Sequence, residues 1–106
     1  MNSPKNFPMS ERFRFHPEAK RDFQDAIGWY RDRNRSVAAE FRATVSGLIR
    51  DIVRDPQRWP KYLYGTRRLV LHRFPFSIVY PDKADVVDIV AVAHGKRRPG
   101  YWKKPL

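Results

Sequence analysis

The residues with the most chemistry to offer lie at the end of the chain, in the run His94-Gly-Lys-Arg-Arg-Pro-Gly-Tyr-Trp-Lys-Lys104. An imidazole titrates near neutrality, Arg and Lys hold phosphates, and Tyr or Trp offers a face on which a base can stack. The composition is that of an anion site or of a basic solvated tail. His94 reads either as a proton acceptor or as a structural histidine whose ring nitrogen fixes the tail. Tyr101 can donate a proton, stack on a base, or pack beside Trp102 on a sheet. Lys96, Arg97, Arg98, Lys103 and Lys104 have no acids among them, which favours a phosphate or an acidic peptide as their partner. Lys61, Arg67 and Arg73 extend this set upstream. Arg67 and Arg68 must point to opposite sides of a regular strand, and Arg67, which shares the alternation of Arg73, is expected on the ligand side.

The elements that must position these groups follow from periodicity. Arg12-Phe-Arg-Phe-His16 alternates as a short, half-buried strand. Pro17 suits a first helical residue, with Glu18 and Asp22 near the positive end, and Ala19, Phe23, Ala26, Ile27 and Tyr30 recur at helical spacing, predicting a helix over 17–33. Asn34-Arg-Ser36 supplies a turn and a cap. Val37, Phe41, Val45, Leu48, Ile49 and Ile52 then form a second stripe that ends at Asp55-Pro56. The aromatic residues of these stripes read as core, not as a cofactor box. The segment Arg58–Gly65 reads as a loop whose aromatic residues pack. Strand signals follow at Arg67–Leu71, Phe76–Tyr80 and Val86–Ala93, with Pro75 as a strand boundary and Pro81-Asp-Lys-Ala84 as a turn.

The order strand, helix, helix and three strands predicts an α+β domain: an N-terminal strand, an antiparallel helical hairpin and a three-stranded antiparallel sheet, with the hairpin packed on one sheet face. Residues 1–10 read as a flexible leader and 11–106 as a single domain. The uncovered side of the sheet is expected to gather His94 and the arginines into a basic concave pocket.

Composition bounds the rest. A chain of 106 residues makes one small domain, and 42% hydrophobic with 14% aromatic residues is too much for a disordered one. Cysteine is absent and the three histidines lack paired ligand spacing, so neither a metal nor a cofactor is expected. There is no signal-peptide run or membrane-length apolar stretch, and a cytoplasmic protein with no membrane partner is expected. The net charge of +11 calls for an anionic partner. The charge is concentrated in the second half, where nothing acidic follows Asp88.

Several strings, in this order, are similar to a known family: Phe15-His-Pro-Glu-Ala19, Trp29-Tyr30, the Gly65 and Arg67 pair, Arg73-Phe-Pro-Phe76 with Ile78 and Tyr80, Ala91-Val-Ala-His94, Arg98-Pro99 and Tyr101-Trp102. Together they resemble toxins of the RelE/ParE superfamily of type II toxin-antitoxin modules, which includes plasmid-stabilisation proteins. The resemblance implies a growth-arresting toxin wrapped and neutralised by a cognate antitoxin. RelE-like members cut ribosome-bound mRNA, the leading mechanism on this reading, whereas ParE-like members poison DNA gyrase. A basic nucleic-acid-binding module without toxicity is the further alternative. Metal-independent mRNA cleavage would use His94 and Tyr101 for proton transfer and Arg73 and Arg98 as phosphate clamps, with Lys61, Arg67, Lys96, Arg97, Lys103 and Lys104 contacting nucleic acid or antitoxin. The chain departs from the family in ending Lys103-Lys-Pro-Leu106, where members with this tail usually carry an arginine; lysine supplies charge without the bidentate fork.

Overall fold

The structure, a computed structural model, describes residues 13–83 and 86–103. The expected leader, Arg12, Ala84 and Lys104 lie outside the described residues. The elements run β1 (Phe13–Phe15), α1 (Pro17–Arg33), α2 (Arg35–Arg54), a 3-10 turn (Leu63–Gly65), β2 (Thr66–Val70), β3 (Phe76–Pro81), β4 (Val87–Ile89) and β5 (Ala91–His94).

Each helix end has a chemical cause. His16 caps α1, its Nδ1 accepting from the Glu18 N–H at 3.2 Å, and Pro17 opens the first turn. Asn34 serves both helices. Its N–H donates to the Tyr30 carbonyl at 2.7 Å, closing α1, while its Oδ1 accepts from the N–H groups of Ser36 and Val37 and opens α2. The predicted turn is therefore a single residue. The hairpin buries Ala19, Ala26, Ile27, Phe41, Val45, Ile49 and Ile52.

β2, β3 and β5 form the antiparallel sheet, in register Leu69↔Ile78 and Ile78↔Val92. The N-terminal strand differs from the expected simple arrangement: β1 pairs in parallel with β4, Phe13 opposite Val87 and Phe15 opposite Ile89. The last predicted strand is also divided at Val90, whose N–H donates to the Val79 carbonyl at 2.9 Å and keeps β4 and β5 beside β3. Alternation within a segment reports which face is apolar and carries no information on the direction of a partner far away in sequence. Pro75 does bound a strand: it precedes β3, and its carbonyl accepts from the Gly95 N–H at 2.8 Å. His72 is exposed in the connection between β2 and β3.

The two sides of the sheet have separate fates. Leu69, Ile78, Tyr80 and Val92 join the hairpin in the main core, where the Phe41 ring meets those of Phe23, Tyr30, Phe74 and Phe76 at centroid distances of 5.0 to 5.8 Å. On the other side, Val79, Ala91 and Ala93 form a second cluster with Tyr62, Tyr101 and Trp102 packed against it. The side expected to stand open is thus partly roofed by the loop after α2 and by the carboxyl-terminal tail. Among the described residues, no helix is long and apolar enough to cross a membrane.

Candidate functional site

β5 delivers His94 to the end of the sheet. It pairs with Phe76, and its ring stands edge-on to the Phe76 ring, with centroids 5.1 Å apart. Its Nδ1 accepts from the Lys96 N–H at 3.0 Å, so in the neutral ring the proton sits on Nε2. The imidazole therefore fixes the turn that follows it, through a backbone N–H.

That turn leads into a strap across α1. The Tyr101 hydroxyl donates to Asp22 Oδ2 at 2.8 Å, and the Arg97 guanidinium lies 3.7 Å from the Tyr101 ring centroid and 4.0 Å from Asp22 Oδ1. Burial, and secondarily the Asp22 carboxylate, push the phenol well above its ordinary value. A phenol held this way keeps its proton, and its evident work is to fasten the tail. Gly100 makes the strap sterically feasible: at φ +82 it occupies the left-handed region, and a Cβ there would come within 2.6 Å of Tyr64 Cε2. Tyr64 itself is left-handed (φ 57, ψ 44), 60% exposed, and covered by Lys103 Nζ at 4.3 Å from its ring centroid.

The remaining candidates separate. Arg73 pairs with Glu40 of α2 and lines neither cleft that His94 lines. Arg67 is withdrawn from solvent, its side chain 13% exposed: Nε donates to Asp82 at 2.8 Å, and Nη1 donates to the carbonyls of Gln57 at 3.1 Å and Trp59 at 2.7 Å. It clamps the loop after α2 to the sheet, and Asp82 is held below the usual carboxylate range chiefly by that hydrogen bond. Arg68, its neighbour, lies on the opposite side and lines the cleft there. The expectation that Arg67 faces the ligand is therefore reversed by strand parity. Lys61 approaches the same Asp82 at 3.8 Å. Lys96 and Arg97 line the His94 region, and Arg98 lines its smaller cleft.

Two clefts meet at His94. The larger, a groove of about 480 Å³, runs between α1 and the sheet end and is bordered by Asp22, Trp29, Tyr30, Phe76, Lys96 and Arg97. Its Trp29 is 54% exposed and carries the Arg33 guanidinium at 3.7 Å from the ring centroid. The smaller, about 90 Å³, lies behind the sheet among Tyr62, Arg68, Ser77, Arg98 and Trp102. Sequence reasoning missed Asp22 and Arg68 as site residues. Asp22 was legible as an acid on the same helical face as Ala19 and Ala26, whereas Arg68 required the side of β2 to be known.

A family model described as the ParE toxin of type II toxin-antitoxin systems, parDE, matches residues 13–99. The chain belongs to the ParE toxin family. The matched span of this ParE-family chain includes Arg67, Arg73, His94 and Arg98, while Tyr101 and Trp102 of the strap lie beyond it. Among solved structures it is similar to a chain of the chromosomal ParDE toxin-antitoxin system from P. aeruginosa, with 16% identity over 82% of this chain and 98% of that one, at a TM-score of 0.68. At that identity the likeness concerns the fold. No curated protein sequence matches the chain significantly.

Proposed function

We propose that this ParE-family toxin arrests growth by binding and poisoning DNA gyrase, and that it does so without cutting RNA. The observation that carries this reading is the commitment of the groups a metal-independent nuclease would need. The Tyr101 hydroxyl is bound to Asp22, one nitrogen of His94 is bound to the backbone of its own turn, and Arg73 is paired on α2. A general acid works best with a pKa near the operating pH, and Tyr101 is displaced away from it. The family match supports the same direction.

The partner on this reading is a cognate antitoxin with an acidic, amphipathic segment. The groove beside α1 suits it: Trp29, Tyr30 and Phe76 offer apolar anchors, while the net charge of +11 accelerates encounter in a salt-sensitive way. Both toxin and target would meet in the cytoplasm. The RelE-like alternative retains one supporting feature, namely that His94 and Arg98 line a common cleft.

The test is a supercoiling assay with purified gyrase, alongside transcript-end mapping after brief induction. The expected outcome is lost supercoiling or accumulated cleaved DNA, with no new transcript ends dependent on the toxin. His94→Ala is expected to arrest growth as the parent does. Undisturbed supercoiling at high toxin excess, with cleavage of ribosome-bound mRNA abolished by His94→Ala, would replace gyrase poisoning by the nuclease mechanism. Induction without a growth defect would bring forward the plain binding module.

A further inference from the structure

Among the described residues, the smaller cleft is lined by cations and by no carboxylate. Its floor is Val79 and Ala93, on the sheet side away from the helices, and its walls are aromatic. Arg68 lies against one wall, its guanidinium 4.1 Å from the Tyr62 ring centroid, which orients the planar fork without neutralising it. Neither Arg68 nor Arg98 has an acidic partner among the described residues. Trp102 also lines the cleft and packs beside Tyr62, the rings tilted 31° with centroids 5.7 Å apart. The indole Nε1–H is shut off from solvent and has no hydrogen-bond acceptor. An unmet buried donor is costly, and an acceptor that reached it through a small shift of the indole would relieve that cost.

Unpaired arginines, an unmet N–H and aromatic walls ask for one small, planar acceptor bearing negative charge. A phosphodiester carries substituents on two oxygens, so its chain must run into the pocket and out again. A carboxylate is terminal and flat, and a space of about 90 Å³ admits it end-on. We propose that this pocket receives a single carboxylate from the protein partner, with Arg68 and Arg98 as its counter-charges and the Trp102 Nε1–H as its hydrogen-bond donor. The inference rests on the reading that this partner is an acidic antitoxin.

The experiment follows the indole N–H signals of the ¹⁵N-labelled full chain, which has three tryptophans, with Trp102→Phe assigning the relevant one. The probes are N-acetylglutamate α-amide for a side-chain carboxylate, N-acetylglycine for a chain terminus, neutral N-acetylglutamine amide, and a short oligothymidylate. The expected result is a saturable movement of the Trp102 signal alone with the carboxylate probes, weakened about tenfold by Arg68→Gln. The stronger of the two carboxylate probes identifies the source. Equal movement of all three signals, no effect of Arg68→Gln, or a tighter response to oligothymidylate would overturn the assignment, the last in favour of a nucleic-acid site. Spectra of the toxin bound to its antitoxin separate the two readings. A complex whose Trp102 signal is unmoved sinks the pocket and spares the antitoxin, whereas carboxylate binding with no complex formed does the reverse.

Discussion

The two sides of one sheet are held by different physics. Toward the hairpin, Leu69, Ile78 and Val92 meet Phe41, Val45 and Ile52 in a continuous dry core. On the far side, among the described residues, Val79, Ala91 and Ala93 are buried in the cluster, and their cover comes from a loop held by the Arg67 clamp and a tail fastened by the Tyr101 hydrogen bond to Asp22. Close packing resists change in small steps, whereas a strap held by one hydrogen bond and one cation over a ring can be rearranged. The fold is secured on one side, and the arginines of the smaller cleft, Arg68 and Arg98, sit on the other.

Substitutions should divide along that line. Phe41→Ala, at the centre of the aromatic cluster and fully buried, is expected to cost about 3–5 kcal/mol by chemical denaturation, because a large void cannot collapse there. A cost below about 1 kcal/mol would erase the contrast between the sides. Next in size, Gly100→Ala forces an unfavourable left-handed residue against the Tyr64 ring, at about 1–2 kcal/mol. Its amide exchange should quicken around residues 100–103 while the hairpin stays protected. Tyr101→Phe keeps the ring and deletes the bond to Asp22, for about 1 kcal/mol, and on the reading above leaves growth arrest intact. Lost arrest with unchanged stability would instead give that hydroxyl a chemical part.

Acidification supplies the finest test. Asp82 and Asp88 are both held below the ordinary carboxylate value, chiefly by side-chain hydrogen bonds from Arg67 and Arg14 respectively. Depressed groups stabilise the fold fully above their unfolded pKa of about 3.9, and that contribution is lost as pH falls through the folded value. Melting temperature should therefore decline as the pH is lowered below about 4, and Asp82→Asn should flatten part of the slope. An unchanged slope would remove the Arg67 clamp from the list of forces holding the far side. Tyr80 gives the opposite limb. Burial raises its phenol to about 12, so its contribution is complete below about 10 and is lost as pH rises through that higher value.

Much of the architecture was legible from local pattern. The apolar stripe and Pro17 delimited α1, and Asn34 announced a junction because its short amide competes with helical hydrogen bonding and favours caps and turns. The family strings resemble the toxin superfamily, and the family match confirms it. The parallel pairing of β1 with β4 was not legible, since nothing in Phe13-Arg-Phe15 encodes the direction of a partner more than seventy residues away.

The candidate site divides in the same manner. Residue type alone marked the carboxyl-terminal end as cationic and aromatic, because charge and ring chemistry belong to each side chain wherever it is placed. Whether those groups act together depends on which side of a strand each one leaves, and a shift of one position sends a side chain to the other surface. Tertiary structure therefore put Arg68 and not Arg67 behind the sheet, turned Arg73 toward α2, and joined Tyr101 to Asp22 across the fold. Sequence determined what the chain carries; only packing decided which groups meet.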